Sequence, residues 1–241
     1  MSKIPGRPEE VFREFVKDYQ SILGSDLLSI MLYGSGARGE YIPHKSDINF
    51  LVLLRENGMN NLPNAFETVS RWHKRSVNTP LFLTKEYIQS SCDVFPIEFL
   101  NLKAHYKVIY GEDFLHNLVI EKKFVRLQCE RELKGKLLQL RQQLLETLGD
   151  KKAIERLIVR SAPTFIAIFR AMLFLYNIDI PRRSTDVLHL IAQRTGVNQS
   201  VFHDIVKIKE GSKKLSAGEA IPFMQEYIEQ IKKLSAVIDA M

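Results

Sequence analysis

The sequence predicts an α/β domain with a mixed sheet, followed by an all-α helical bundle. Two strongly apolar runs, "LLSIMLY" at 27–33 and "NFLVLL" at 49–54, have the length and composition of buried strands. A glycine-containing turn and a polar loop connect them. From about residue 116 onward the apolar residues recur only at helical spacing. We therefore expect two domains, one at residues 1–115 and one at residues 116–241.

The remaining elements follow from periodicity. Apolar residues at helical spacing predict helices at 8–23 and 62–75. Three short apolar runs predict further strands: "TPLFLT", "VFPIEFLNL" and "YKVIYG". Thr84 is expected to cap a short helix after the first of these, and Glu98 stands on the second. In the second half we expect a helix ending near Gly149, a helix carrying Pro163 as a kink or break, and helices near 184–194, 198–208 and 218–239.

Composition narrows the class of protein. Of the 241 residues, 45% are hydrophobic and 26% are charged, which is typical of a globular protein. Cys92 and Cys129 lack the spaced partners of a disulfide framework or a zinc site, and the polar start is not typical of a signal peptide. The most apolar run, "TFIAIFRAMLFLY", is short and contains Arg170. We therefore expect a cytoplasmic protein without a membrane segment.

The charge is unevenly distributed. Residues 1–115 hold 13 Lys and Arg against 14 Asp and Glu, whereas residues 116–241 hold 21 against 14. The lysines are scattered and lack the interleaved aromatic residues of single-strand binders, so a solvated surface is favoured and nucleic acid is not indicated. Arg160 and Arg170 lie among apolar residues, where each charge needs a partner. An internal carboxylate is favoured over a phosphate ligand.

The glycines after the first strand form a motif with several readings. Gly34, Gly36 and Gly39 match G-x-G-x-x-G, but a dinucleotide-binding fold needs a crossover helix before its next strand. Only eight residues separate Gly39 from Ile48, and Pro43 in their midst prevents a full helix. A Walker loop is excluded as well, because no Lys-Ser/Thr follows the glycines.

The polar residues of this segment suggest a phosphate site next to a metal site. Gly34 permits close approach of the backbone to a phosphate, and Ser35 can donate its hydroxyl and amide. Arg38 is either a phosphate contact or a helix-surface residue, and its place in the loop favours the contact. Asp47 and Asn49 lie two residues apart on a strand, so they share one face while their neighbours enter the core.

These residues carry a resemblance over residues 28–54. A Gly-Ser turn, about a dozen residues and then Asp-x-Asp resembles the signature of the nucleotidyltransferase superfamily, which shares the fold of DNA polymerase beta. Members that modify small molecules, such as the aminoglycoside nucleotidyltransferases, commonly show a loop like Gly34–Gly39. The resemblance implies that Asp47 and Asn49 hold Mg²⁺. It also implies transfer of a nucleoside monophosphate, AMP from ATP in the first instance, to a hydroxyl of a small-molecule or protein acceptor.

Two departures from the family pattern bear on activity. Asn49 stands where the family has a second carboxylate, so a negative charge is missing and transfer is expected to be weakened. The family also has a third carboxylate on a later strand, which acts as general base or completes the metal site. Glu98 is the candidate, and a rival alignment places this position within "TPLFLT", which has no acid. The alternative function is a degenerate nucleotide-binding relative.

A different class of function rests on the helical half. Arg183 and His189 loosely resemble the ribonuclease motif of helical HEPN domains, which partner minimal nucleotidyltransferases in toxin–antitoxin systems. His189 lies in "DVLHLIAQ", where it can simply line a helix that Asp186 caps. A homodimer stays open as well. RNA cleavage without nucleotide would indicate a ribonuclease, whereas a transferase needs metal and triphosphate.

Overall fold

The computed structural model describes residues 4–241 and divides them into two compact units. The first unit comprises the chain up to Asp93 together with Phe99–Val119. The second comprises Val94–Glu98 together with Ile120–Met241. The domain limits predicted from the sequence, 1–115 and 116–241, stay a proposal beside this division.

The first unit is built on a four-stranded mixed sheet with the order β3-β2-β1-β4. Strand β1 pairs antiparallel with both β2 and β4, whereas β2 pairs parallel with β3. The mixed sheet and the helices described below confirm the predicted fold class. The strands are β1 Leu27–Tyr33, β2 Asn49–Leu54, β3 Leu81–Thr84 and β4 Lys107–Gly111.

Short helices connect these strands. The predicted helix at 8–23 consists of a 3₁₀ turn followed by α1, and the predicted helix at 62–75 is a 3₁₀ segment at Glu56–Ala65 followed by α3. Thr84 caps α4 as predicted, because its hydroxyl accepts from the Tyr87 amide at 3.1 Å. The helices are α1 Phe12–Leu23, α2 Ser35–Arg38, α3 Phe66–His73 and α4 Lys85–Ser90.

Aromatic side chains fix helix α1 against the sheet. The ring of Phe15 lies 4.0 Å from the ring of Phe50 on β2 and 5.3 Å from that of Trp72 on α3, measured between centroids. Asp18 accepts a hydrogen bond from the Trp72 indole at 3.0 Å, which satisfies the polar atom of this buried residue. This core therefore fixes the face of β2 on which Phe50 lies, and the next residues along the strand face the other way.

The segment predicted as the strand "VFPIEFLNL" is helix α5, Pro96–Ala104, and the strand assignment of Glu98 was wrong. Pro96 occupies the first helical position, where its fixed φ and missing N–H suit a helix start. Ile97, Phe99 and Leu100 are all buried, so the apolar run covers several faces of the helix. Such short apolar runs do not distinguish a buried helix from a strand by periodicity.

The second unit contains five further helices, and α7 passes through Pro163 without ending. Leu157 and Phe165, one on each side of the proline, are both buried, so packing holds this helix together where proline weakens it. The predicted break at Pro163 was therefore wrong, and the other predicted helices are present. The helices are α6 Lys122–Glu146, α7 Lys151–Leu175, α8 Ser184–Thr195, α9 Gln199–Glu210 and α10 Ala217–Asp239.

Helix α7 is long and apolar enough to meet the length and composition criteria of a membrane span. The helix has 25 residues, more than the 13-residue run suggested, because it continues through Pro163, and an 18-residue window of it has a mean hydropathy of 1.6. Of its most apolar window, 56% is buried inside the fold. A core helix of a globular protein meets the same criteria.

Candidate functional site

The turn at Gly34 has a backbone that favours glycine. After β1 ends at Tyr33, Gly34 adopts φ +73° and ψ −149°, a region that side chains rarely tolerate, and α2 begins at Ser35. A Cβ atom on Gly34 would lie 3.2 Å from the side-chain nitrogen of Asn49. The turn predicted from the motif is thus present, and it lies directly against the start of β2.

The hydroxyl of Ser35 is a hydrogen-bond donor at this turn. Within residues 4–241 its hydroxyl has no hydrogen-bond partner, and the residue is only partly buried. Helix α2 has four residues, so its aligned dipoles are few, and the donors for an anion are individual N–H groups and this hydroxyl. Arg38 is partly committed elsewhere, because its Nε donates to Glu40 at 2.9 Å.

Asn49 is the first residue of β2, and Asp47, which was predicted to lie on the same strand, precedes it by two residues. Ile48 and Phe50 are buried, while Asp47 is exposed and Asn49 is partly exposed. Tyr33 on β1 pairs with Asn49, so the end of β1 and the start of β2 meet at one edge of the sheet. The structure therefore brings Gly34 and Asn49 together, with Asp47 two residues away along the chain.

Asn78 is a neighbour that the sequence reasoning missed. Its side-chain nitrogen donates to Oδ1 of Asn49 at 2.9 Å, and Asn49 in turn donates from Nδ2 to the backbone oxygen of Asp47 at 3.2 Å. A parallel bridge between Ile48 and Val77 places Asn78 at this position. The signal in the sequence was a polar residue just before the strand "TPLFLT".

The carboxylate of Asp47 lies close enough to Tyr41 to affect the pKa of its hydroxyl. Burial raises the pKa of Tyr41, and the negative charges of Asp47 and then Glu10 add to this shift. The Tyr41 hydroxyl donates to the backbone oxygen of Pro5 at 3.1 Å. The polar loop between α2 and β2 is thus anchored beside Asp47.

Glu98 lies in the first turn of α5 and not on the sheet. Its carboxylate accepts from Nε2 of Gln128 at 2.8 Å, and Oε1 of the same glutamine accepts from the Ile97 amide at 2.8 Å. Gln128 is buried and satisfies an amide at the start of α5, while Glu98 itself is exposed. The role of Glu98 as third carboxylate stays a prediction.

The rival position for that carboxylate can be located on β3. Leu81 pairs in parallel register with Leu51, which lies on the same face of β2 as Asn49. Leu81 is 38% exposed, and it is apolar. The strand next to β2 therefore presents a leucine where this alignment expects an acid.

The donor set favours one magnesium ion over two. The oxygen ligands at this edge of the sheet are the Asp47 carboxylate and the amide oxygens of Asn49 and Asn78. No group of three or more His, Cys, Asp and Glu able to hold a metal occurs within the part of the chain that the structure describes. Mg²⁺ is often held by one or two carboxylates together with substrate phosphates, and Asp47 fits that arrangement. A site for two ions would need further carboxylates.

Comparisons of fold and of sequence each found similar proteins of known or described activity. The fold is similar to that of spectinomycin adenyltransferase AAD(9) from Enterococcus faecalis, whose crystal structure contains ATP and spectinomycin. That similarity has a TM-score of 0.55 at 12% sequence identity, and it covers 93% of this chain and 99% of that one. It shows that the two proteins share a fold consisting of an α/β sheet domain and a helical domain.

A sequence comparison gives the more specific match. The chain is 43% identical over 47 residues to a Methanocaldococcus jannaschii protein described as a "putative protein adenylyltransferase". The match covers 20% of this chain and 46% of that protein, so it spans less than half of the relative. No protein-family model matches the chain. The two findings support a relationship to the nucleotidyltransferase superfamily, as the Gly34–Asn49 motif predicted.

Proposed function

We propose that the protein binds a nucleoside triphosphate, with ATP favoured, at the Gly34–Ser35 turn and transfers the nucleoside monophosphate to a hydroxyl group. The observation that carries the proposal is the contact of the Gly34 turn with Asn49, the first residue of β2, with Asp47 two residues before it along the chain. Hydrogen-bond donors for a phosphate and a carboxylate for a metal thus lie at the same edge of the sheet. The adenyltransferase relatives support this class of reaction.

The reaction assigns separate tasks to these residues. The acceptor hydroxyl passes its proton to a general base while its oxygen forms a bond to the α-phosphorus, the bond from that phosphorus to the bridging oxygen breaks and pyrophosphate leaves. Positioning and charge neutralisation dominate such catalysis. The backbone and hydroxyl of Ser35 hold the triphosphate, and Arg38 adds a positive charge. Asp47 would hold Mg²⁺, which supplies charge neutralisation when bound. Glu98 is retained as the candidate third carboxylate.

The proposed acceptor is a small molecule or a protein. The Enterococcus enzyme was crystallised with spectinomycin, and the M. jannaschii relative is described as acting on protein, so the two comparisons support different acceptors. The partners we propose are therefore a nucleoside triphosphate and one such acceptor. A cytoplasmic location and a homodimer belong to the same proposal.

A second candidate function is nucleotide binding with little or no transfer. Asn49 is neutral and accepts from Asn78, and Leu81 occupies the place on β3 where one alignment expects an acid. Asp47, just before β2, is then left as the single carboxylate of the motif. A site with one carboxylate can bind a magnesium nucleotide and still be slow in chemistry.

A ribonuclease site finds less support. Arg183 precedes α8 as its N-cap, so Asp186 lies in the first turn and is not the cap that was predicted. His189 is exposed and its Nδ1 lies 3.2 Å from the Gln199 side chain. Arg183 has an extended backbone outside the helix, and within residues 4–241 no hydrogen bond joins it to His189.

Thermal unfolding with ATP and Mg²⁺ tests the proposed binding. When free nucleotide is about ten times its Kd, the midpoint should rise by roughly 3–6 °C, because a ligand that binds only the folded state stabilises it. Ser35→Ala should lose part of that shift. Ser70→Ala is the matched control, because Ser70 is exposed on α3 and its hydroxyl forms no hydrogen bond within residues 4–241. The proposal is wrong if the unsubstituted protein shows no shift.

Transfer is then assayed with labelled ATP and a panel of aminoglycosides, nucleosides and the protein itself. Label transfer that Asp47→Asn abolishes supports the transferase. A thermal shift without label transfer to any acceptor supports the nucleotide-binding relative. RNA cleavage that requires His189 and no nucleotide would contradict both.

A further inference from the structure

A basic surface lies on the helical unit. Arg160 lines three adjoining cavities of about 230, 340 and 510 Å³, and Arg156 lines the two larger ones. Every residue that lines them belongs to the second unit. We name this surface the basic groove, and its cations are Lys136, Lys152, Arg156, Arg160, Lys213 and Lys214.

Several of these cations lack a counter-charge. Within residues 4–241, Arg156, Arg160 and Lys152 form no ion pair, whereas Lys213 pairs with Asp204. Arg160 was expected to be internal and paired with a carboxylate, but it is exposed. Two acids also line the groove, Glu146 and Glu155, and Glu155 accepts from the Leu215 amide at 3.0 Å. The groove is therefore positively charged.

The cations are stacked along α7. Lys152, Arg156 and Arg160 are spaced by four residues, which places them above one another on one face of the helix. Like charges at this spacing destabilise a helix, so the arrangement is unfavourable unless an anion compensates it. The stack spans about 12 Å at 1.5 Å per residue, which is longer than one phosphate group.

Neutral donors complete the groove. The smallest cavity is lined by Gln139, Gln143 and Thr164 in addition to Lys136 and Arg160, whereas the Ser161 hydroxyl, which also lines it, donates to the Ile158 backbone oxygen at 3.0 Å. Guanidinium groups bind phosphate oxygens in bidentate fashion, and amide and hydroxyl donors can fill the remaining acceptor positions. Among the residues that line the basic groove, Phe165 is the single aromatic one. Phe165 is buried at 2% exposure, so the groove offers no surface on which bases stack.

We propose that the basic groove binds a small anion that carries at least two linked phosphoryl groups. The concave cavities have the volume of small-ligand sites, and the length of the cation stack suits a phosphate chain. The chain can come from free polyphosphate or from a nucleotide, since both present the same chemistry. The groove uses none of the residues of the Gly34–Ser35 turn, so its test is independent of the proposed function.

Calorimetric titration of the full chain with inorganic tripolyphosphate tests this proposal. The double variant Arg156→Gln/Arg160→Gln should weaken binding by about tenfold or more, because two charge-assisted contacts are lost. Arg131→Gln/Arg141→Gln removes the same charge from exposed positions on α6 outside the groove and should change affinity by less than about twofold. Arg156→Lys/Arg160→Lys keeps the charge but loses the bidentate geometry, so its affinity should be intermediate.

Parallel titrations with orthophosphate, ATP and a duplex RNA define the ligand. If the Gln variant loses tripolyphosphate binding and one of two ATP-binding events, while ATP still binds at the Gly34–Ser35 turn, a nucleotide is a source. If it loses tripolyphosphate binding and keeps every ATP-binding event, the source is free polyphosphate. The proposal is overturned if both Gln double variants weaken binding equally, if Ser35→Ala alone removes it, or if tripolyphosphate does not bind at all. Binding of RNA through Arg156 and Arg160 without phosphate binding would also overturn it. Circular dichroism confirms that each variant is folded.

Discussion

The candidate site and the basic groove differ in whether their polar side chains have partners within the protein. At the edge of the sheet, Asn78 donates to Asn49, and Asn49 donates to the backbone of Asp47, so neutral groups satisfy one another. On α7, Arg156 and Arg160 form no ion pair within residues 4–241. The two asparagines are satisfied without a ligand, although the Ser35 hydroxyl near them has no partner within residues 4–241, whereas the arginines on α7 leave charge for solvent or an anion. A substitution that adds a charge therefore tests the role of the candidate site, and a substitution that removes charge tests the role of the basic groove.

The largest expected effect is that of adding a carboxylate at the sheet edge. Asn49→Asp should bind Mg²⁺-nucleotide more tightly and raise label transfer by about 10²-fold, because it restores a charged oxygen where two metal ions would share a ligand. Labelled ATP and the acceptor panel measure the rate. Asn64→Asp adds the same charge at an exposed position of the same unit and should change nothing.

Two outcomes would contradict this prediction. Brisk transfer by the Asn49 protein would show that the neutral amide suffices for catalysis. An Asn49→Asp protein that gains neither affinity nor rate would show that the remaining ligands, Glu98 included, do not complete a metal site.

A smaller effect is expected from paired glycine substitutions, one in each unit. Gly34→Ala should destabilise the protein by roughly 1–3 kcal/mol, since its φ of +73° and the Asn49 side chain 3.2 Å from the new Cβ both oppose a side chain. Gly135→Ala should stabilise it by about 0.5–1 kcal/mol, because Gly135 lies inside α6 with open space around its Cβ position. Urea unfolding measures both, and equal signs would contradict the prediction.

The smallest effect concerns one buried tyrosine of each unit. The Tyr19 hydroxyl is buried and has no hydrogen-bond partner within residues 4–241, whereas the Tyr227 hydroxyl lies 3.1 Å from that of Ser161. Tyr19→Phe should be neutral or stabilising by up to about 1 kcal/mol, and Tyr227→Phe should destabilise by about 0.5–1.5 kcal/mol. Urea unfolding at pH 7 measures the difference. Equal losses would mean that the Tyr19 hydroxyl has a partner in solution.

The same two tyrosines also determine how the stability of the fold changes at alkaline pH. Burial raises the pKa of both Tyr19 and Tyr227 above the ordinary value of 10.0. The unfolded chain then loses these protons at lower pH than the folded chain, so stability falls as pH rises above about 10. Each Tyr→Phe substitution should flatten part of that fall.

Local signals explain what the sequence predicted. The turn at Gly34 follows from a glycine after an apolar run, and the exposed face of Asp47 and Asn49 follows from the period of a strand. Both depend on neighbouring residues in the chain. The Thr84 cap is equally local, because its hydroxyl accepts from an amide three residues ahead.

Features that depend on tertiary contacts were missed. Helix α5 looked like a strand because its apolar residues are buried on several faces and leave no clear period. Asn78 reaches Asn49 only through the parallel bridge of Ile48 and Val77, which sequence spacing does not reveal. Arg160 looked internal because its chain neighbours are apolar, yet the rotation of α7 turns it outward.

The pairing of Tyr33 with Asn49 has a consequence for ligand affinity. The segment between these residues is a loop whose two ends are held together by a strand ladder, so the entropy of closing it is already lost on folding. The Tyr41 contact with Pro5 restricts it further. If a phosphate binds at Gly34 as proposed, it meets a preorganised turn, and little of its binding free energy would be spent on ordering the chain.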